Sequence, residues 1–183
     1  MRAFHAIIVL LVAFLAVFCE AAMPGVRRVI GTQLDVLPPL MVYAALATSL
    51  NVVALVAVCG GLWFDSLSAN PLGVSVLPLF IVGFLIALRR DLILRDQPFA
   101  QFVLGFAASA VAPALTLLLL LTTGNTPMLG WGLLWHWLVM SLGGGIATPV
   151  LFAFFGWINK VFGYQPVVET SFRPDREIRR SRR

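Results

Sequence analysis

The chain has 183 residues, of which 60% are hydrophobic before its 15 glycines are counted and only 11% are charged. A soluble domain is about 45–50% apolar with glycine included and about 25% charged, so one small core could not hide this much apolar surface, and lipid must be the second solvent. The net charge of +5 does not make the chain a nucleic-acid binder, because six of its thirteen basic residues fall in the last eleven, RPDREIRRSRR, as a property of the tail.

No charge lies between Arg2 and Glu20, and the run AFHAIIVLLVAFLAVFC predicts a first membrane helix over about residues 3–23. About 20 helical residues rising 1.5 Å each cross the roughly 30 Å hydrocarbon layer. Pro24-Gly25 ends that helix, and GVRRVIGTQLD reads as a loop. A cleaved signal peptide is the competing reading, since Arg2, an apolar stretch and Ala21-Ala22 resemble its three regions. The apolar stretch is long for a signal, which favours a retained helix.

The 29 residues from Val36 to Phe64 carry no charge. One helix of that length would be about 43 Å long and strongly tilted. It would also hold Thr48, Ser49 and Asn51 at the bilayer midplane, where unpaired polar groups are costly. A turn at those residues puts them at the membrane surface and predicts two short helices, 37–49 and 51–65. DSLSANPLG, residues 65–73, is rich in turn formers, and VSVLPLFIVGFLIAL then predicts a fourth helix over 73–88, stopped by Arg89-Arg90-Asp91. The loop RRDLILRDQP ends at Pro98. From Gln97 to Asn159 there are 63 residues without a charge, broken by TTGNTP at 122–127, which predicts helices over 99–121 and 131–158. The fold class expected is all-α: a polytopic membrane helix bundle of about six transmembrane helices in residues 1–160, followed by a basic cytoplasmic tail, 161–183.

Lysine and arginine near helix ends stay on the cytoplasmic side. With six spans and the N-terminus inside, eleven basic residues lie inside and two, Arg27 and Arg28, outside; with five spans and the N-terminus outside, the split is twelve to one. Both topologies make the 89–98 loop and the tail cytoplasmic. Trp63 and Trp131 fall near one surface and Trp157 near the other, as amphipathic rings at an interface do.

Little in the chain is suited to chemistry. Gly143-Gly144-Gly145 lies inside a span and lacks the Lys-Ser/Thr of a phosphate loop. Small residues there suit close helix packing, and Pro149 suits a bend. Ala57/Gly61, Gly105/Ser109 and Ala110/Ala114 have the spacing of small residues on one helix face, a weak signal in so Ala-rich a chain. His136, between Trp135 and Trp137, has no second ligand on its own helix face and reads as an interfacial histidine rather than a proton or metal site. Glu20 is similarly alone. Asp65, at a helix boundary, either caps the following turn or makes a functional contact. Cys19 and Cys59 each sit in an apolar run and read as buried small hydrophobes, with no spacing that supports a disulfide or a metal site. An enzyme needs a nucleophile with a base, or paired carboxylates. No catalytic, cofactor-binding or metal-ligating residue is assigned, and no cofactor is expected. The tail follows from the positive-inside rule, and could also lie on anionic lipid or dock a cytoplasmic partner.

The segment GGLWFDSLSANPLGVSVLPLFIVGFLIALRR, with DQPFAQF after it, resembles the rod shape-determining protein MreD family. That family's Gly-Leu-x-x-Asp-Leu stretch, Pro-Leu-Gly turn and apolar helix ending in arginines are matched by Gly61-Leu62-Trp63-Phe64-Asp65-Ser66, Pro71-Leu72-Gly73 and Arg89-Arg90. Pro38/Pro39 and Val42-Tyr43 fit as well. The resemblance covers about residues 37–105. The chain departs from it at Thr48-Ser49-Leu50-Asn51, where the family often carries basic residues. The resemblance implies a non-catalytic scaffold of the bacterial cell-elongation complex, in the cytoplasmic membrane, contributing to cell shape and lateral peptidoglycan synthesis. Its implied partners are membrane lipid, an MreC-type bitopic protein and, directly or indirectly, the MreB-type cytoskeleton and wall-elongation synthases. The family also resembles in fold the substrate-binding subunits of energy-coupling-factor vitamin transporters, which supplies the alternative of a small-molecule binder. Those subunits often carry an Ala-x-x-x-Ala pair on their first helix, whereas span one here has Ala13 and Ala16 without such a pair.

Overall fold

A computed structural model of the chain describes residues 2–22, 35–68, 71–90, 93, 97–122 and 131–161. These form six helices: α1 (Arg2–Ala22), α2 (Leu37–Ala47), α3 (Leu50–Leu67), α4 (Val76–Leu88), α5 (Pro98–Thr122) and α6 (Trp131–Val161). No strand occurs among the described residues. The protein is all-helical, and α3, α5 and the Leu134–Val161 part of α6 are long and apolar enough to cross a membrane. Ala6–Ala22, α2 and α4 are shorter apolar helices. Most of the long connection before α2, the expected break at TTGNTP and the basic tail lie outside the described residues.

The helices begin and end close to where the charges and turn formers put them. The uncharged stretch 36–64 is divided at Thr48-Ser49, which separates α2 from α3. The Thr48 hydroxyl donates to the Ala44 carbonyl at 2.5 Å, and its amide donates to the same oxygen at 2.9 Å. A side chain that satisfies its own helix's last carbonyls favours stopping there.

The middle of the bundle is α2. Ten consecutive residues, Leu37–Leu46, are buried, and α2 touches every other helix. Its sequence, LPPLMVYAALA, has no polar face, and a helix apolar all round is a buried helix. Burying a helix end requires that its free amides find acceptors, and here the sequence removes most of the need. Pro38 and Pro39 have no N–H, the Leu37 amide donates to Asp35 Oδ1 at 2.9 Å, and the Leu40 amide donates to the Val36 carbonyl at 3.1 Å. At the opposite end, Arg90 Nη1 donates to the Thr48 carbonyl at 3.5 Å.

The other helices wrap this centre with one face and turn the other outward. On α1 the buried residues Val9, Ala13 and Val17 recur every four positions, while Ile7, Leu11, Phe14, Leu15 and Phe18 are exposed. Tyr43 of α2 stacks on Phe155 of α6 at 4.0 Å between ring centroids, with Phe152 edge-on at 5.0 Å. Trp63 meets Phe14 edge-on at 5.2 Å, joining α3 to α1.

The cysteines correct an expectation. Both are free, but Cys19 is exposed and Cys59 only half-buried. An apolar run on a membrane helix has a lipid-facing side as well as an inner side, so an apolar thiol is not driven inward as it would be in water.

Candidate functional site

Three places concentrate polar or close-packed groups. The first is the corner between α3 and α4. Asp65 is 2% exposed, and its Oδ2 accepts the Gly73 amide at 2.8 Å and the Ser75 amide at 3.1 Å. Of the two readings of Asp65, the turn cap is the one the geometry contains. The carboxylate closes a tight corner in which Gly73 has φ +91°, the left-handed region that favours glycine. Gly61 lets α4 start against α3: a Cβ there would stand 2.8 Å from Val76 Cγ2 and 2.9 Å from its Cα. Asp65 Oδ1 is buried without a hydrogen-bond partner among the described residues.

The second is the seam between α5 and α6. Gly105 and Ser109 face Gly144 and Thr148. A Cβ on Gly105 would fall 2.7 Å from both the Gly144 carbonyl oxygen and Thr148 Cβ, and one on Gly144 would fall 2.5 Å from Ser109 Cβ. Backbones approach this closely only where side chains are small. Of the three pairs singled out by spacing, Gly105/Ser109 lies in this seam. Thr148 is fully buried and returns its hydroxyl to the Gly144 carbonyl at 2.8 Å. Gly145 continues the contact against the Phe102 ring. The glycine run is thus part of a packing surface.

The third is a half-open cavity of about 560 Å³ at the end of the bundle away from Thr48. It lies between the start of α2, the α3–α4 corner, the second half of α5 and the first turns of α6. Its walls are mostly Leu, Pro, Ala and aromatic side chains, and it brings together Asp35 and His136, from opposite ends of the sequence. Burial pushes the Asp35 carboxyl up to about 6, with the hydrogen bond from the Leu37 amide opposing that rise. Trp137, also in the wall, is fixed by donating Nε1 to the Ala110 carbonyl at 2.8 Å, one turn before Pro113.

Read along its own helix, His136 had no companion; Asp35 joins it only through the tertiary fold. The proline pair and uncharged run after Asp35 were the available signal that this acid is held against a buried helix. Glu20 is half-buried near the end of α1. Among the described residues, no group of three or more His, Cys, Asp and Glu side chains could hold a metal ion. Compared with known protein families, with curated proteins and with solved structures, the chain matches none.

Proposed function

We propose that the protein is a non-catalytic scaffold of the bacterial cell-elongation complex, with all six helices crossing the cytoplasmic membrane and both ends in the cytoplasm. The observation that carries the reading is the use made of Asp65. The one acid between Val36 and Leu88 is spent on two backbone amides of a corner, so its carboxylate serves the fold. The α5–α6 seam supports a rigid body whose outer apolar faces are left for lipid and for partner helices. The MreD-like segment 61–90 supplies the biological setting, with an MreC-type bitopic protein as the direct partner and the MreB-type cytoskeleton and wall-elongation synthases beyond it.

The six-span arrangement draws support from α2. At 11 residues it is about 16 Å long, shorter than the hydrocarbon layer. Because the other helices surround it, its length need not match the bilayer. The contact of Arg90 with Thr48 joins the α2–α3 turn to the arginines of the 89–98 loop, and the positive-inside rule supports a cytoplasmic side for both.

The test is depletion together with co-purification in mild detergent. Loss of the protein should turn rod-shaped cells round, and the intact chain should retain a bitopic membrane partner. Cells that stay rod-shaped after depletion would overturn the scaffold reading. The cavity favours a second reading, a vitamin-type substrate-binding subunit. That reading predicts a stoichiometric water-soluble ligand in the denatured sample and lost uptake with shape unchanged.

A further inference from the structure

We infer that the cavity at the Asp35–His136 end is a lipid site, taking one acyl-chain lipid whose headgroup carries a primary amine. Its volume of about 560 Å³ is in the range of about 300–1,000 Å³ usual for small-molecule sites. Such sites are mostly apolar with a few polar groups that fix orientation, which is the distribution here. Leu117, Leu120 and Met140 are among the apolar walls, and Asp35 and His136 are the two titratable side chains among the described residues that line it.

The polar groups select the headgroup. Asp35 Oδ1 holds the Leu37 amide, and Oδ2 takes no hydrogen bond from the described residues. An N–H donor therefore has an acceptor there, in a mostly apolar wall. No lysine or arginine is among the described residues that line the cavity, so they offer no cation to neutralise a lone anionic headgroup. A primary ammonium meets the site better than a quaternary one, because it offers hydrogen-bond donors as well as charge. The route of entry selects a lipid over a solute. Leu134 and Trp137 line this half-open cavity, are 52% and 40% exposed, and stand on a helix apolar enough to cross a membrane, so a lipid chain has a route in between the helices. Trp137 is held in place through Ala110, so this opening has a fixed edge.

The full chain is reconstituted in nanodiscs holding equal amounts of phosphatidylethanolamine, phosphatidylglycerol and phosphatidylcholine with matched acyl chains, then released into mild detergent for native mass spectrometry. One phosphatidylethanolamine should be retained, with about a tenfold preference over each of the other two, equivalent to ~1.4 kcal/mol. Asp35→Asn keeps an oxygen for the Leu37 amide, so the helix start survives while the preference falls to the bulk ratio. Ala114→Phe, which places a ring in the cavity, should retain no lipid. Retention at the bulk ratio, no retained lipid in the wild type, or an unchanged preference in Asp35→Asn would each overturn the site. Rod-shaped cells after depletion bear on the scaffold reading alone and leave this result standing.

Discussion

Arg90 donates from Nη1 to the carbonyl of Thr48 at 3.5 Å, joining residues 42 positions apart at one end of the bundle. The contact places the end of α2 beside the end of α4, so the short α2–α3 connection lies with the arginines. Single cysteines at Arg2, Ser49 and Ser181, in a chain with Cys19 and Cys59 replaced by alanine, should all react from the cytoplasmic side. Labelling of Arg2→Cys and Ser181→Cys from opposite sides would favour five spans instead. The Arg90–Thr48 bond itself should contribute no more than ~0.5 kcal/mol to stability, because it is long and exposed.

Removing the Asp65 carboxylate should cost much more. In Asp65→Ala the amides of Gly73 and Ser75 lose their acceptor in a buried corner, at about 1–3 kcal/mol for each unsatisfied group. Asp65→Asn keeps one oxygen and should lose less than half as much. Thermal unfolding in detergent, with membrane abundance measured alongside, separates the two variants. Equal losses would mean that the charge, and not the acceptor, matters.

Gly105→Ala should destabilise by about 1–3 kcal/mol, the usual cost of overfilling a packed contact. The added methyl would meet the Gly144 carbonyl and the Thr148 side chain. Gly144→Leu should separate α5 from α6 and abolish accumulation of folded protein. Gly132→Ala is the control, since a Cβ there meets none of the described residues within 4 Å and should not destabilise the protein.

Asp35 gives the bundle a pH dependence of known sign. Its carboxyl is raised from 3.8 to about 6 in the folded protein, so the folded state holds the proton more tightly than the unfolded chain. Its contribution to stability is fully present below about pH 3.8 and is lost as pH rises through about 6. Unfolding midpoints should fall between pH 4 and pH 7 in the wild type, and Asp35→Asn should flatten that part of the curve. An identical slope in both proteins would assign the dependence to another group.

His136→Ala should leave cell shape intact at normal protein abundance, because the scaffold reading gives it no chemical role. Round cells at normal abundance would instead point to a proton or ligand function for this side chain.

Much of the helix layout was legible in the residues. Long uncharged runs bounded by arginines, prolines and Thr48-Ser49 mark where helices start and stop, because each boundary has a local cause. The depth of each helix was harder to read. α4 is the more hydrophobic of the two short helices in sequence, yet only α2 is surrounded, and that depends on five neighbours whose packing has no local signature. At the seam, the Gly143–Gly145 run pointed to close packing or a bend, and packing is what it does, whereas Gly105/Ser109 was lost among many alanine pairs. The cavity was not legible, since Asp35 and His136 come to line it only after α2 and α6 have docked. The cysteines misled because an apolar run in lipid has two apolar environments.

Under the proposed six-span arrangement, the enclosure of α2 implies an order of events during biosynthesis. A nascent chain offers its insertion machinery one uncharged stretch from Val36 to Phe64, and α2 alone is too short to be held by the bilayer. It must therefore enter together with α3, and it reaches its final depth only once later-made helices close around it. Since α6 supplies Phe155 to stack on Tyr43, the centre of the protein is completed by some of the last residues of the bundle to leave the ribosome.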